Sequence, residues 1–274
     1  MIRWISRSLQ APSSPIPAAD QDPRPPQQRG GHSLLVHMTA TSGSHDRRDA
    51  GGVAPYPRAM RETFRAELDS LTEDLARGAR LAGQMMTNSS TALSRADLAL
   101  AELVISHEGD MKALCDDMDQ RCVKLLVLQA PVATDLRMVV AAMHAVGDVE
   151  RMCNLAQHIA KIARMKHPTV PIPDEVRPVF ARMGVLATSL AQDAAAAIES
   201  QDPLSAHRLA QADDEVDALR RRIFQILFSE DWSHGVEPAV DAALIGRYYE
   251  RFADHAVAIA RQVSFLVTGL PHER

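Results

Sequence analysis

Asp213 and Asp217 stand four residues apart in "DDEVD", and Glu250 and Asp254 repeat the spacing in "ERFAD". On a helix, residues four apart are surface neighbours, so each pair sets like charges one turn from each other, which costs a few tenths of a kcal/mol. Two readings account for this. The carboxylates can be solvated charges beside the arginines Arg220, Arg221, Arg222, Arg247 and Arg251. Alternatively, two neighbouring helices present oxygen ligands to a hard cation or a cluster, since carboxylates suit Mg, Mn, Ca or iron. Carboxylate spacing alone does not separate the two.

Other chemistry lacks its carriers. The chain has no G-x-x-x-x-G-K-[ST], no G-x-G-x-x-G after a strand and no H-E-x-x-H, so nucleotide-cradling and zinc-protease motifs are absent from the sequence. Nor does it hold the core-facing Glu-x-x-His pairs that a ferritin-like di-iron bundle needs. His158 and His255 fall off the apolar stripes and read as surface histidines. Asp135 and Arg137, in "PVATDLR", read as anchors for the start of a helix or as a pair across the bundle, and the structural role is preferred.

The elements that carry these residues are helices. Phe64, Leu68, Leu71, Leu75, Gly78, Ala82 and Met85 alternate steps of four and three, which predicts a helix with one narrow buried stripe. A second helix is expected from an Asp97 cap through Val104, Met111, Met118 and Leu125. A third runs from "PVATDLR" through Met138, Ala142, Ala145, Val149, Met152, Ala156, Ile159 and Ala163, until His167 and Pro168 stop it. The link "HPTVPIP" separates this unit from the next, where Asp174 reads as a cap and Pro178 as a first-turn residue. Asp202 and Pro203 read as the cap and first turn of a further helix, carrying Leu209, Ala212, Val216, Leu219, Ile223 and Ile226. After "SEDWSHGVEP", the last helix shows Ile245, Tyr249, Phe252, Ala256, Ile259, Val263 and Leu266 at the same spacing.

Three helices, a link and three helices again form a duplicated unit. "ERMCNLAQHIA" at 150 is echoed by "ERFADHAVAIA" at 250, and Asp97, Glu108 and Leu114 align with Asp202, Asp213 and Leu219. The expected fold is all-α: two tandem three-helix bundles over residues 60–167 and 174–270, preceded by a disordered tail over residues 1–59.

Composition agrees with that division. The chain of 274 residues is 46% hydrophobic but only 4% aromatic, the profile of a thin aliphatic helical core. Residues 1–59 are rich in Pro, Gln, Ser and Gly and cannot bury enough apolar surface to offset the entropy of ordering. Met60 opens the first periodic segment, so a start at Met60 is preferred over a functional extension. Seven Arg and four Asp give the tail +3, which leaves −8 for residues 60–274 out of −5 overall. An acidic body argues against nucleic acid as the main partner. Three cysteines without a C-x-x-C pair point to reduced thiols and the cytoplasm. No run of about 18 apolar residues lacks a charge, so no membrane insertion is expected.

"LLVLQAPVATDLRMVV" at 125–140, "VERMCNLAQHIAKIA" and "YERFADHAVAIARQVSFLVTG" together resemble the PhoU family of phosphate-uptake regulators, over residues 60–270. The resemblance implies a cytoplasmic all-helical adaptor, often a homodimer, and not an enzyme. It implies negative regulation of the phosphate ABC transporter and of the phosphate-starvation response, with a transporter component and a sensor histidine kinase as partners. It also implies a multinuclear site for iron, zinc or another divalent cation in each bundle. Carried over, the second bundle keeps Asp213, Asp217, Glu250 and Asp254. In the first, Glu108 and Glu150 stand at two of the places, but Lys112 and Asn154 replace the other two carboxylates, so that site is expected to be lost or weakened. The alternative reading is a metal-binding helical bundle with a storage or enzymatic role.

Overall fold

The computed structural model describes residues 58–270, and the tail expectation for residues 1–57 lies outside them. Seven helices follow: α1 (Arg58–Arg95), α2 (Leu98–Ser106), α3 (Glu108–Gln129), α4 (Thr134–Lys166), α5 (Arg177–Ser200), α6 (Ser205–Leu227) and α7 (Val236–Thr268). No strand occurs among the described residues. None of these helices is long and apolar enough to cross a membrane.

The first bundle is α1 to α4 and the second is α5 to α7. The expected middle helix of the first bundle is two, because the chain breaks at His107. A continuing helix would spend the Leu103 carbonyl on the His107 amide, but Ser106 Oγ (2.8 Å) and His107 Nδ1 (2.6 Å) both reach that oxygen. Side chains that satisfy backbone carbonyls locally compete with helix propagation in this way. The stripe survives the break: Val104, Met111, Met118 and Leu125 are all buried.

Caps are realised unevenly. Asp97 caps α2 as expected, its Oδ1 accepting the Leu100 amide at 3.0 Å. Asp174 does not cap α5; the capping position is Val176, which offers no side-chain bond, while the Asp174 carboxylate pairs with Arg177. Pro178 does sit in the first turn. Asp202 holds a turn ahead of α6: its carboxylate accepts the Leu204 amide at 2.9 Å and its carbonyl accepts the Ser205 hydroxyl at 2.7 Å. At the far end α7 stops at Gly269, whose φ of 71° lets its amide close on the Phe265 carbonyl at 2.8 Å.

The buried faces are wider than the stripes. On α1, Ala76, Ala79 and Met86 are buried beside Leu71, Leu75 and Met85, because α1 packs on α4 within its bundle and on α5 of the other. α7 likewise touches α4, α5 and α6. Contacts such as Arg80 with Glu199 and Thr87 with Thr188 fix α1 antiparallel to α5, and Asp148 with His255 and His158 with Tyr248 fix α4 antiparallel to α7. The two bundles belong to a single compact unit, with α1, α4, α5 and α7 at its centre. Each large aliphatic side chain buried there contributes on the order of 1.5–3 kcal/mol.

Two glycines allow close approaches. A Cβ added to Gly78 would lie 3.1 Å from Val149 Cγ1 of the same bundle, whereas one added to Gly184 would lie 2.7 Å from Ser90 Oγ of α1 and in ordinary contact, at 3.7 Å, with the Tyr249 hydroxyl. In the second bundle that hydroxyl also reaches Ser90 of α1 at 2.8 Å.

Candidate functional site

Asp213 and Asp217 flank the buried Val216 on α6, Glu250 and Asp254 flank Phe252 and Ala253 on α7, and α6 packs on α7 along a seam, which brings the charges of Asp217 and Asp254 to bear on Asp213. Their environments differ. Asp254 is exposed as the sequence implies, and Asp217 is half-buried. Glu250 is not outside the core: it is 8% exposed, because α7 packs on three helices and the residue beside Tyr249 turns into the seam. Its carboxylate is taken by guanidinium groups, Arg247 one turn away and Arg220 of α6 at 3.5 Å.

Asp213 is the unsettled member. Its Oδ1 is shielded from solvent and has no hydrogen-bond partner. Burial pushes its pKa up to about 7, and the charges of Asp254, Asp217 and Asp214 push the same way against a smaller opposing effect of Arg261. Three aspartates that repel one another around a shielded, unpartnered oxygen have the donor chemistry of a hard-cation site. Among the described residues, however, no three acidic, His or Cys side chains are already placed to hold a metal. As the helices stand, Glu250 serves the arginines.

The first bundle handles the corresponding positions by internal pairing. Glu108, which opens α3, receives Lys161 of α4 at 3.4 Å. Lys112 binds Asp116 at 3.0 Å, and its pKa is raised by that hydrogen bond first and by the charge of the same carboxylate next. Asn154 brings no charge, so an ammonium stands where the second bundle has a carboxylate.

The remaining sequence candidates are structural. Arg137 donates to Thr134 Oγ1 at 3.1 Å, and its Cζ would be 3.6 Å from a Cβ placed on Gly269. It therefore sets a cation against the C-terminal end of α7, where the helix dipole favours one. His255 Nδ1 meets Asp148 at 2.9 Å, and His158 is exposed and stacks on Tyr248 at 5.1 Å. The His158 pKa is lowered, by burial first and by Lys161 second. All three thiols are free and buried, and desolvation raises Cys115 to about 12 and Cys122 to about 11, which keeps them protonated. Arg220 and Arg247 are among the arginines that the sequence sets beside these carboxylates, and both pair with Glu250. The Arg247 pairing is legible from its place three residues before Glu250, whereas Arg220 reaches Glu250 from another helix and leaves no local trace.

The PhoU domain profile matches this chain twice, over residues 75–163 and 180–263. The chain belongs to the PhoU family. The first match lies within α1 to α4 and the second within α5 to α7, so the repeat in sequence and the repeat in structure coincide. Among curated PhoU relatives, the phosphate-specific transport system accessory protein PhoU homolog 2 of Mycobacterium tuberculosis is 45% identical over 210 residues, covering 77% of this chain and 99% of that protein. Homolog 1 of Mycobacterium leprae is 43% identical over 210 residues, 77% of this chain and 95% of the relative. The crystal structure of PhoU from Pseudomonas aeruginosa superposes with a TM-score of 0.70 at 25% identity, over 76% of this chain and all of that one.

Proposed function

We propose that this chain is a cytoplasmic accessory regulator of phosphate transport, which restrains a phosphate ABC transporter and the phosphate-starvation two-component response when phosphate is plentiful. The observation that carries this reading is the double PhoU match together with 99% coverage of a relative described as a phosphate-specific transport system accessory protein. The mode of action is docking: a transporter component and a sensor histidine kinase bind helix faces, the working form is a homodimer, and the chain performs no catalysis. Affinity purification of the tagged full chain from phosphate-replete cells should recover a transporter component and a histidine kinase, with less of both after starvation. Recovery of neither would remove the adaptor reading.

A second element of the proposal is a cation at the second bundle, held by Asp213, Asp217, Asp254 and a Glu250 released from Arg220 and Arg247. The orphaned Asp213 oxygen and its raised pKa motivate it. Iron, zinc or another divalent ion would supply the positive charge that the seam lacks. Metal analysis of protein purified without chelators should find the ion in the wild type and little in Glu250→Ala/Asp254→Ala. Metal bound tightly to residues elsewhere would favour the alternative of a storage or enzymatic bundle.

A further inference from the structure

A cavity of about 450 Å³ opens between the C-terminal half of α1 and the N-terminal half of α5, away from the acidic seam. Its floor is carbon: Leu93, Ile172, Phe180 and the ring of Tyr249. Its walls are hydroxyls, and no carboxylate lines it. This volume falls in the range of small-molecule sites, which combine apolar lining with a few placed polar groups.

The hydrogen accounting decides what those walls can recognise. Each Ser or Thr hydroxyl has one proton to give and two lone pairs to receive with. Thr87 gives its proton to the Gly83 carbonyl (3.1 Å), Ser90 to Met86 (2.8 Å), Thr91 to Thr87 (2.9 Å) and Ser94 to Thr91 (3.1 Å). Ser189 gives its proton to the Asp193 carboxylate at 3.4 Å. Because those protons are spent, the Thr188 hydroxyl must donate to Thr87 across 3.0 Å, and Tyr249 must donate to Ser90 across 2.8 Å. Every hydroxyl hydrogen of the wall is committed inside the protein. What the hydroxyl wall offers the cavity is a set of acceptors.

The donors left in the lining are the Gln192 carboxamide and the Arg177 guanidinium. Arg177 Nε is shielded from solvent without a partner, although another nitrogen of the same guanidinium pairs with Asp174. Since Asp174 already balances the charge, Nε needs an acceptor atom and not necessarily an anion.

We infer that this cavity binds a nucleoside moiety, free or phosphorylated. A nucleoside offers an aromatic face for the Phe180 and Ile172 floor, several O–H and N–H donors for the acceptor wall, and an acceptor for Arg177. A bare monosaccharide has the donors without the flat aromatic face, and inorganic phosphate has no apolar face at all. A partner helix would bring an apolar ridge against a wall of unpaired acceptors, which costs free energy.

The test is ligand-observed NMR and calorimetry on the full chain with adenosine, guanosine, cytidine, uridine and AMP, and with ribose 5-phosphate and inorganic phosphate as references. At least one nucleoside or AMP is expected to bind, and to bind at least tenfold more tightly than either reference. AMP binding more tightly than adenosine assigns the phosphorylated form, and equal affinities assign the free nucleoside. Thr91→Val/Thr188→Val, an isosteric change at partly exposed positions, should weaken binding at least tenfold with helicity unchanged. Ala181→Trp, at an exposed rim position, should block the cavity and abolish it. Absence of nucleoside binding at millimolar concentration overturns the inference, as does binding that neither variant alters.

Discussion

The two bundles share a backbone plan and treat the same positions differently. In the first, Gly78 makes room for Val149, and Lys112 and Lys161 neutralise Asp116 and Glu108. In the second, Gly184 makes room for Ser90 of α1, which the Tyr249 hydroxyl meets at 2.8 Å, and Asp213 keeps a shielded oxygen without a partner. The first copy pairs its acidic positions internally, although Arg137 Nε stays shielded without a partner, whereas the second uses the Tyr249 hydroxyl to join the bundles and leaves Asp213 Oδ1 unsatisfied. Unsatisfied buried polar groups are costly, so they persist most readily where a ligand or partner completes them.

The largest way to break the comparison is at the two core positions. Tyr249→Ala should lower stability by about 3–5 kcal/mol, as expected for deleting a fully buried aromatic ring, measured by denaturant unfolding. Val149→Ala should cost clearly less, since it removes fewer buried atoms. Equal losses would mean that Tyr249 does not couple the bundles.

Next come the glycines. A Cβ on Gly184 would lie 2.7 Å from Ser90 Oγ and 3.0 Å from Ser90 Cβ, so Gly184→Ala must displace Ser90 and loosen its bond to Tyr249, at about 1–3 kcal/mol. Gly78→Ala meets only Val149 Cγ1 at 3.1 Å. There the gain of about 1 kcal/mol in helix propensity offsets the crowding, and stability should hardly change.

The seam gives a smaller, pH-dependent effect. Because the folded-state pKa of Asp213 is raised to about 7 from 3.8, its favourable contribution is complete below about pH 4 and is lost as pH rises through 7. Asp213→Asn should therefore stabilise the metal-free protein at pH 8 by about 1 kcal/mol, discounted for solvent screening, and leave it unchanged near pH 4. Asn154→Asp, at the first-bundle position that corresponds to Asp254, should have the opposite sign or none, since that bundle carries Lys112 where the second carries Asp217. Thermal unfolding across that pH range, with a chelator present, separates the two.

Much of this was legible in the sequence. Stripes at four-three spacing located the helices and the duplication, because they report which side of a helix is dry. Their width was not legible: α1 and α7 face more than one neighbour, and that is why Glu250, read as lying outside the stripe, is buried. The break at His107 was also missed, since the Ser106 and His107 side chains compete for a carbonyl without interrupting the apolar pattern. Long-range partners escaped for a simpler reason. Ser90 and Tyr249 are 159 residues apart, and no local spacing connects them.

Phosphate uptake in phosphate-replete medium, in cells deleted for this gene and complemented with variants, tests the functional account most directly. Wild type and Glu108→Gln/Glu150→Gln should both return the deletion strain to low uptake, whereas Asp213→Asn/Asp254→Asn should leave it high. A deletion that leaves uptake unchanged, or two variants that restore it equally, would contradict the account.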